Sequence, residues 1–389
     1  MAAEPKDILL LGLGAVGAIY AFVLQRSGLA RVTVVARSNY EAVKERGMDI
    51  QSLKYGEHKG WRPYRIFKSI NEAADRAYSH VVLVTKMIVE LETNSQLLEP
   101  LLSPAYTEKF SQPVYVLMQN GMNIEVDLWN AVKALNQETP RIIGTSVYIG
   151  SKLLDKHIVE HSDFDRVSMG IHREETNVLV NTPEEAAILS GFGDILSSGG
   201  TDVTIVPEIH RVKFQKNAFN CTYGSITSLS RYNMQGLFRK PPDEDYTPPA
   251  TNPNLVDSAH PTPAREATTP VPASFPMVAE YTIPWMYELL SEVKELGQKL
   301  FPDAGYDELP LTVLVSTSAI VNKPTSNERP SMLVDVELGR PTEVEVIIGS
   351  LVRASRTVGV SMPRLETIYA LMLIIQEHVL YEFRKKAKL

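Results

Sequence analysis

A chain of 389 residues has room for two domains of ordinary size, and 44% hydrophobic with 22% charged residues is the composition of a soluble globular protein. A formal net charge of −7 without a basic stripe excludes nucleic acid as an expected partner, and a single cysteine, Cys221, excludes an intramolecular disulfide and fits a reducing compartment. Apolar runs such as Ala370 to Ile375 are too short to span a bilayer and no basic leader precedes the first strand, so the expectation is a cytoplasmic protein, with no membrane association and no metal.

The first segment, Ile8 to Leu24, starts as four apolar residues without polar alternation, as in a strand buried on both faces, and continues beyond Gly17 at helical spacing. Between strand and helix stands Gly12-x-Gly14-x-x-Gly17. In a strand-turn-helix, Gly12 makes the tight turn, Gly14 lets the backbone approach a pyrophosphate, and Gly17 allows close packing of helix on strand. The N–H groups of the helix start, at Ala15, Val16 and Gly17, would hold the phosphates. The second strand, Arg31 to Arg37, ends where a dinucleotide fold meets the adenosine ribose. An acidic residue there suits the 2′-hydroxyl of NAD, whereas this chain has Ala36-Arg37-Ser38, a cation and a hydroxyl suited to a 2′-phosphate. The cofactor read is NADPH; the bland alternative is an arginine capping the strand end in solvent.

A short helix is expected over Asn39 to Arg46, strand pieces over Gly47 to Gln51 and Tyr64 to Ile70 around a polar connection, and buried strands over His80 to Lys86 and Val114 to Asn120. Ligands of open parallel sheets sit at the carboxyl ends of strands, which places Lys86 and Asn120 on the same rim as Gly12 and Arg37. Segments Ile142 to Ile149, His157 to His161, Arg166 to Ile171 and Asp202 to Glu208 finish the sheet, with a helix over Thr182 to Ser197. Beyond Pro207 the apolar spacing turns helical over Val212 to Ser230, Tyr287 to Leu300, Leu311 to Ile320, Thr342 to Thr357 and Arg364 to Lys388. The expected architecture is an α/β Rossmann-type N-terminal domain, residues 1–208, followed by an all-helical C-terminal domain, residues 209–389. Pro241 to Pro276 interrupts the latter with ten prolines in 36 residues, and is read as a flexible insertion that buries too little to order itself.

Two clusters can carry chemistry. Helical repeat puts Lys213, Asn217 and Cys221 on one face, with Phe214 and Ala218 flanking the lysine; desolvation there would turn Lys213 into a usable general acid near neutral pH, while Lys216 points elsewhere. Taken alone, such a lysine is more often a solvated helix surface. Farther on, Ser331 precedes a short apolar run and Glu343 follows Pro341 into a helix; on structure alone they are an N-cap and a carboxylate compensating the helix dipole.

Together, Gly12-x-Gly14-x-x-Gly17, Gln119-Asn120-Gly121, Lys213-x-x-x-Asn217 and Pro330-Ser331-Met332-Leu333-x-Asp335 with Glu343 resemble ketopantoate reductase (2-dehydropantoate 2-reductase) over nearly the whole chain except Pro241 to Pro276. The resemblance implies NADPH-dependent reduction of ketopantoate to pantoate, on the way to coenzyme A. It implies Lys213 as general acid, Glu343 as the group that fixes that lysine or binds a substrate hydroxyl, Ser331 at the substrate carboxylate, and Asn217 and Asn120 as hydrogen-bonding groups at the substrate, with Lys86 lining the cofactor pocket. It departs from the family where a second asparagine usually follows one turn after the first: here that position holds Cys221. Another 2-keto acid is therefore the second reading of the substrate, and an NADPH-binding sensor without turnover is the reading of a different class. The other expected partners are at most a second copy of the chain, as monomer or homodimer. The terminal Ala387-Lys388-Leu389 is close to a peroxisomal address, which makes the peroxisome the second reading for location.

Overall fold

The computed structural model describes residues 4–136, 138–238, 277–321 and 328–387. The Pro-rich stretch 241–276, Asn327 and the last two residues of the terminal tripeptide lie outside them. The chain forms two compact units, residues 1–213 and 214–389, and the division falls inside one helix, Ile209–Phe219.

The first unit is built on one mostly parallel sheet. In chain order its strands are β1 (Lys6–Leu11), β2 (Ala30–Val35), β3 (Met48–Ser52), β4 (Gly56–Trp61), β5 (Arg65–Phe67), β6 (His80–Leu83), β7 (Val114–Leu117), β8 (Ile142–Asp155), β9 (Ile158–Ile171) and β10 (Asp202–Ile205). Their spatial order is β4-β3-β9-β8-β7-β6-β1-β2-β5, with β10 beside β9. Among the described residues, only β3 with β4 and β8 with β9 run antiparallel. Strands β6 and β7 are buried at every position, and β1 over its last four, which is why they read as unbroken apolar runs. The helix Ala15–Arg26 is buried without interruption from Gly17 to Leu24, so it lies inside the unit rather than on its surface. The helix Pro183–Gly199 packs against it and starts in a capping box in which Thr182 accepts from the Glu185 N–H while Glu185 accepts from the Thr182 N–H.

Two local expectations are corrected. The polar connection between β3 and β5 contains an edge strand, β4, whose exposed polar residues hide it from a hydrophobicity pattern. The segments His157 to His161 and Arg166 to Ile171 are one strand, β9. The polar residues between them stay in register because Asp165, fully buried, accepts from Tyr55 Oη (2.6 Å) and Thr201 Oγ1 (2.6 Å) and pairs with Lys54 Nζ at 2.8 Å.

The second unit is helical, as expected: beyond the end of Ile209–Phe219 it contains Ser225–Ser230, Gln235–Phe238, Ile283–Leu300, Leu309–Val321, Ser331–Glu337, Ser350–Val358 and Pro363–Ala387, with π-helical turns at Asn220–Gly224, Val278–Thr282 and Glu345–Gly349. Gly297 lets Phe214 and Tyr306 lie against its helix, since a Cβ there would come within 2.6 Å and 2.7 Å of their rings. The buried carboxylate of Glu292 accepts from the backbone N–H groups of Arg364 and Leu365, capping the last helix from outside its own sequence.

Candidate active site

The glycine turn has the geometry its spacing predicts. Gly12 sits at φ +97°, where other residues are strained, and a Cβ on Gly17 would fall 1.9 Å from the Gly12 carbonyl oxygen. Gly14 is exposed, has nothing within 4 Å of where its Cβ would be, and offers no side-chain cap to the helix behind it. Asn39, buried, donates from Nδ2 to the Leu13 carbonyl at 2.7 Å and holds the turn in place. A tight turn, an open approach and uncapped N–H groups at the start of an eight-residue buried stretch fit a dinucleotide pyrophosphate. Ala15 and Val16 are half-buried at that helix start. Arg37 and Ser38 lie exposed just past β2, and the Arg37 guanidinium meets Glu92 at 3.4 Å with both side chains well solvated.

The next two strand ends are braced from beneath. Gln119, buried, donates to Thr85 Oγ1 (3.2 Å) and Asn94 Oδ1 (3.1 Å), and Asn94 donates to Gln119 Oε1 (3.0 Å) and to the Ile124 carbonyl (3.0 Å). Thr85 in turn lies under Gly12. The turn that follows is shaped by Gly121 at φ +95°. Lys86 is exposed and Asn120 half-buried on this braced rim.

Lys213 has a partner that the sequence did not indicate. It is buried and its ammonium is in an ion pair with Glu125, whose side chain is fully buried at the end of the loop that carries Asn120. Burial alone would raise the Glu125 carboxyl, yet the Lys213 ammonium, His210 and His172 hold it below the usual carboxylate range. Around the pair runs a hydrogen-bonded chain: His172 Nδ1 and His210 Nε2 at 3.0 Å, then His210 Nδ1 and Glu208 Oε1 at 2.7 Å. Burial pushes His172 down to about 4 against the pull of Glu125, so it is neutral at physiological pH. Glu125, His172 and His210 bring three potential metal-ligand atoms within 4.8 Å of one another. None of these three residues was singled out by the sequence, whose local hint is the glycine Gly144 within β8.

In the second unit, Asn217 is buried and donates from Nδ2 to the Ile347 carbonyl at 2.8 Å, tying its helix to the π turn Glu345–Gly349. Cys221 is fully buried, its thiol 3.4 Å from the Ala218 carbonyl and pushed up to about 12 by burial. Ser331 is exposed at the first position of its helix, with Pro330 as N-cap and no side-chain cap bond. Glu343 is buried immediately ahead of the helical stretch beginning at Val344, with its carbonyl accepting from Ile347. Over residues 213–220 the spacing Lys-x-x-x-Asn occurs twice, as Lys213 to Asn217 and as Lys216 to Asn220, and the second pair is half-buried at both positions. Read in that register, the position one turn further is Gly224 rather than Cys221.

Against known families, the model described as "Ketopantoate reductase PanE/ApbA" matches residues 8–174 and its C-terminal counterpart residues 273–376. Among curated proteins, the chain is 24% identical to an uncharacterized protein of Saccharomyces cerevisiae, over 95% of this chain and 93% of that one, and 22% identical to 2-dehydropantoate 2-reductase of Nostoc sp., over 92% of each. Among solved structures it shares the fold of 2-dehydropantoate 2-reductase from Methylococcus capsulatus (TM-score 0.68, 22% identity, 96% and 97% of the two chains). It also shares that of D-mandelate dehydrogenase in ternary complex with NADH and anilino(oxo)acetate (TM-score 0.66, 16% identity, 96% and 99%).

Proposed function

The chain belongs to the ketopantoate reductase family, and from that premise we propose that it is an NADPH-dependent 2-keto acid reductase whose leading substrate is ketopantoate. NADPH, when bound, supplies the hydride that reaches the ketone carbon. The chain supplies the rest. The turn from Gly12 to Gly17 holds the pyrophosphate on backbone N–H groups, and Arg37 with Ser38 takes the 2′-phosphate. Lys86 and Asn120 line the rim.

As hydride arrives, negative charge develops on the ketone oxygen and a proton donor must meet it. Lys216 is assigned that role, in place of Lys213. Lys213 is buried in an ion pair with a sealed carboxylate, whereas Lys216 repeats the same spacing one residue short of a turn later and is only half-buried. That commitment of Lys213 is the observation on which the assignment rests. Asn220 then hydrogen-bonds the substrate, Ser331 its carboxylate, and Glu343 fixes the lysine or binds a substrate hydroxyl.

A second reading, reduction of a bulkier 2-keto acid, is favoured by Gly224 where the family usually carries an asparagine, and by the likeness to D-mandelate dehydrogenase. NADPH consumption measured against ketopantoate, an aryl 2-keto acid and a small aliphatic one decides between them. NADPH binding without keto-acid-dependent oxidation would remove the enzyme reading and leave the sensor.

A further inference from the structure

The sheet is cleared at one place to admit a charge. Gly144 in β8 and Gly170 in β9 face each other across the antiparallel ladder. A Cβ at 144 would stand 2.8 Å from Glu125 Oε1 and 3.2 Å from Ile209; one at 170 would stand 2.6 Å from the Val206 carbonyl and 3.1 Å from Ile209. Neither glycine has positive φ, so space rather than conformation requires them. Into this bay come the Glu125 carboxylate and the first turn of the helix Ile209–Phe219, and there Glu125 meets Lys213.

A sealed ion pair is a poor way to gain stability, since apolar side chains of similar volume do as well or better. What it does provide is a fixed register between the two segments that carry it. One segment is the loop from Gln119 to Ile124, which ends at Glu125. The other is the helix start, fastened a second time by Glu208, which accepts from the His210 N–H (3.2 Å) and the Arg211 N–H (2.9 Å) and from His210 Nδ1.

We propose that Glu125 and Lys213 are positioning residues: their pair, seated in the Gly144–Gly170 bay, sets the loop bearing Asn120 and the first turn of the helix Ile209–Phe219 in the register the reaction needs. This rests on the reading of the chain as a keto acid reductase with Lys216 as proton donor. The ammonium neutralises Glu125, whose Oε2 is left buried without a hydrogen-bond partner, and the two imidazoles hydrogen-bond each other.

The test compares Glu125→Leu, Lys213→Met and the double variant, each as the full chain, by thermal midpoint, NADPH affinity and steady-state kinetics with the best 2-keto acid. Each single change is expected to lower the midpoint, because it strands a buried charge, and the double change to recover most of it. The double variant should nonetheless keep kcat about tenfold or more below the parent, with KM and NADPH affinity within about twofold, the pattern of displaced catalytic groups rather than lost binding. Gly144→Ala, which displaces the carboxylate while leaving both charges, should lower kcat in the same way and covers the case in which the double variant fails to fold. Parental kcat in the double variant or in Gly144→Ala overturns the proposal, as does one equivalent of zinc retained by the parent after dialysis, which would make the cluster a metal centre. A parent that binds NADPH but reduces no 2-keto acid overturns the underlying reading and this inference with it, a result distinct from an active parent with active variants.

Discussion

Two regions of the sheet unit handle charge in opposite ways. At the rim, Arg37, Ser38 and Lys86 lie open to solvent, and the ion pair of Arg37 with Glu92 is long and well hydrated, so it holds the guanidinium only loosely. In the glycine bay, Glu125 and Lys213 are sealed together and bordered by a histidine chain that ends on Glu208. Under the proposed function the rim charges serve a ligand, and solvent makes such charges cheap to redirect. A charge that is buried and matched has become part of the framework, and its removal is felt in folding first.

That contrast can be broken most directly at the two lysines. Lys216→Ala is expected to lower kcat by about 10²- to 10⁴-fold with little change in NADPH affinity or melting temperature; an equal loss from both lysines in activity alone would erase the distinction. Lys213→Ala should cost about 3–5 kcal/mol of stability, read by denaturant unfolding, because it leaves Glu125 uncompensated in the interior. At the rim the sign of the effect changes. Arg37→Asp should leave the unfolding midpoint nearly unmoved and shift preference from NADPH toward NADH, read as the ratio of the two binding constants; an unchanged ratio removes Arg37 from the cofactor site. The remaining effect is on pH. Burial holds His172 near 4 and His80, with help from Lys6 and Arg141, near 3, both below the ordinary histidine value of 6.5. Folded-state values depressed in this way contribute stability that is whole above about pH 6.5 and shrinks as pH falls toward 4, by about 1.4 kcal/mol per unit for each group. Thermal midpoints should therefore drop between pH 7 and pH 5, and His172→Gln should flatten the slope.

The same contrast explains what could be read from the sequence. The glycine turn is legible because each glycine answers a local backbone demand, and Arg37 because its place is fixed by counting from that turn. The buried strands β1, β6 and β7 are legible because both faces are apolar. The bay is not, because it joins residues 125, 144, 172, 208 and 213, whose proximity exists only once β7, β8 and β9 are side by side. Lys213 and Lys216 illustrate the limit: both begin a Lys-x-x-x-Asn spacing, and nothing local to the helix says which of them a distant glutamate will claim. Cys221 and Asn217 share one helix face as the repeat predicts, but that face is a packed one, which periodicity cannot distinguish from a face lining a cleft.

The placing of β3 has a consequence for how the chain reaches its native state. Although β3 follows β2 closely in sequence, it joins the opposite side of the sheet, where Asp49 aligns with Ile158 and Ser52 with His161 on β9. During synthesis, β3 and β4 must therefore wait through roughly a hundred further residues for their docking strand, a loop closure that slows folding and leaves an unpaired hairpin vulnerable in the interval.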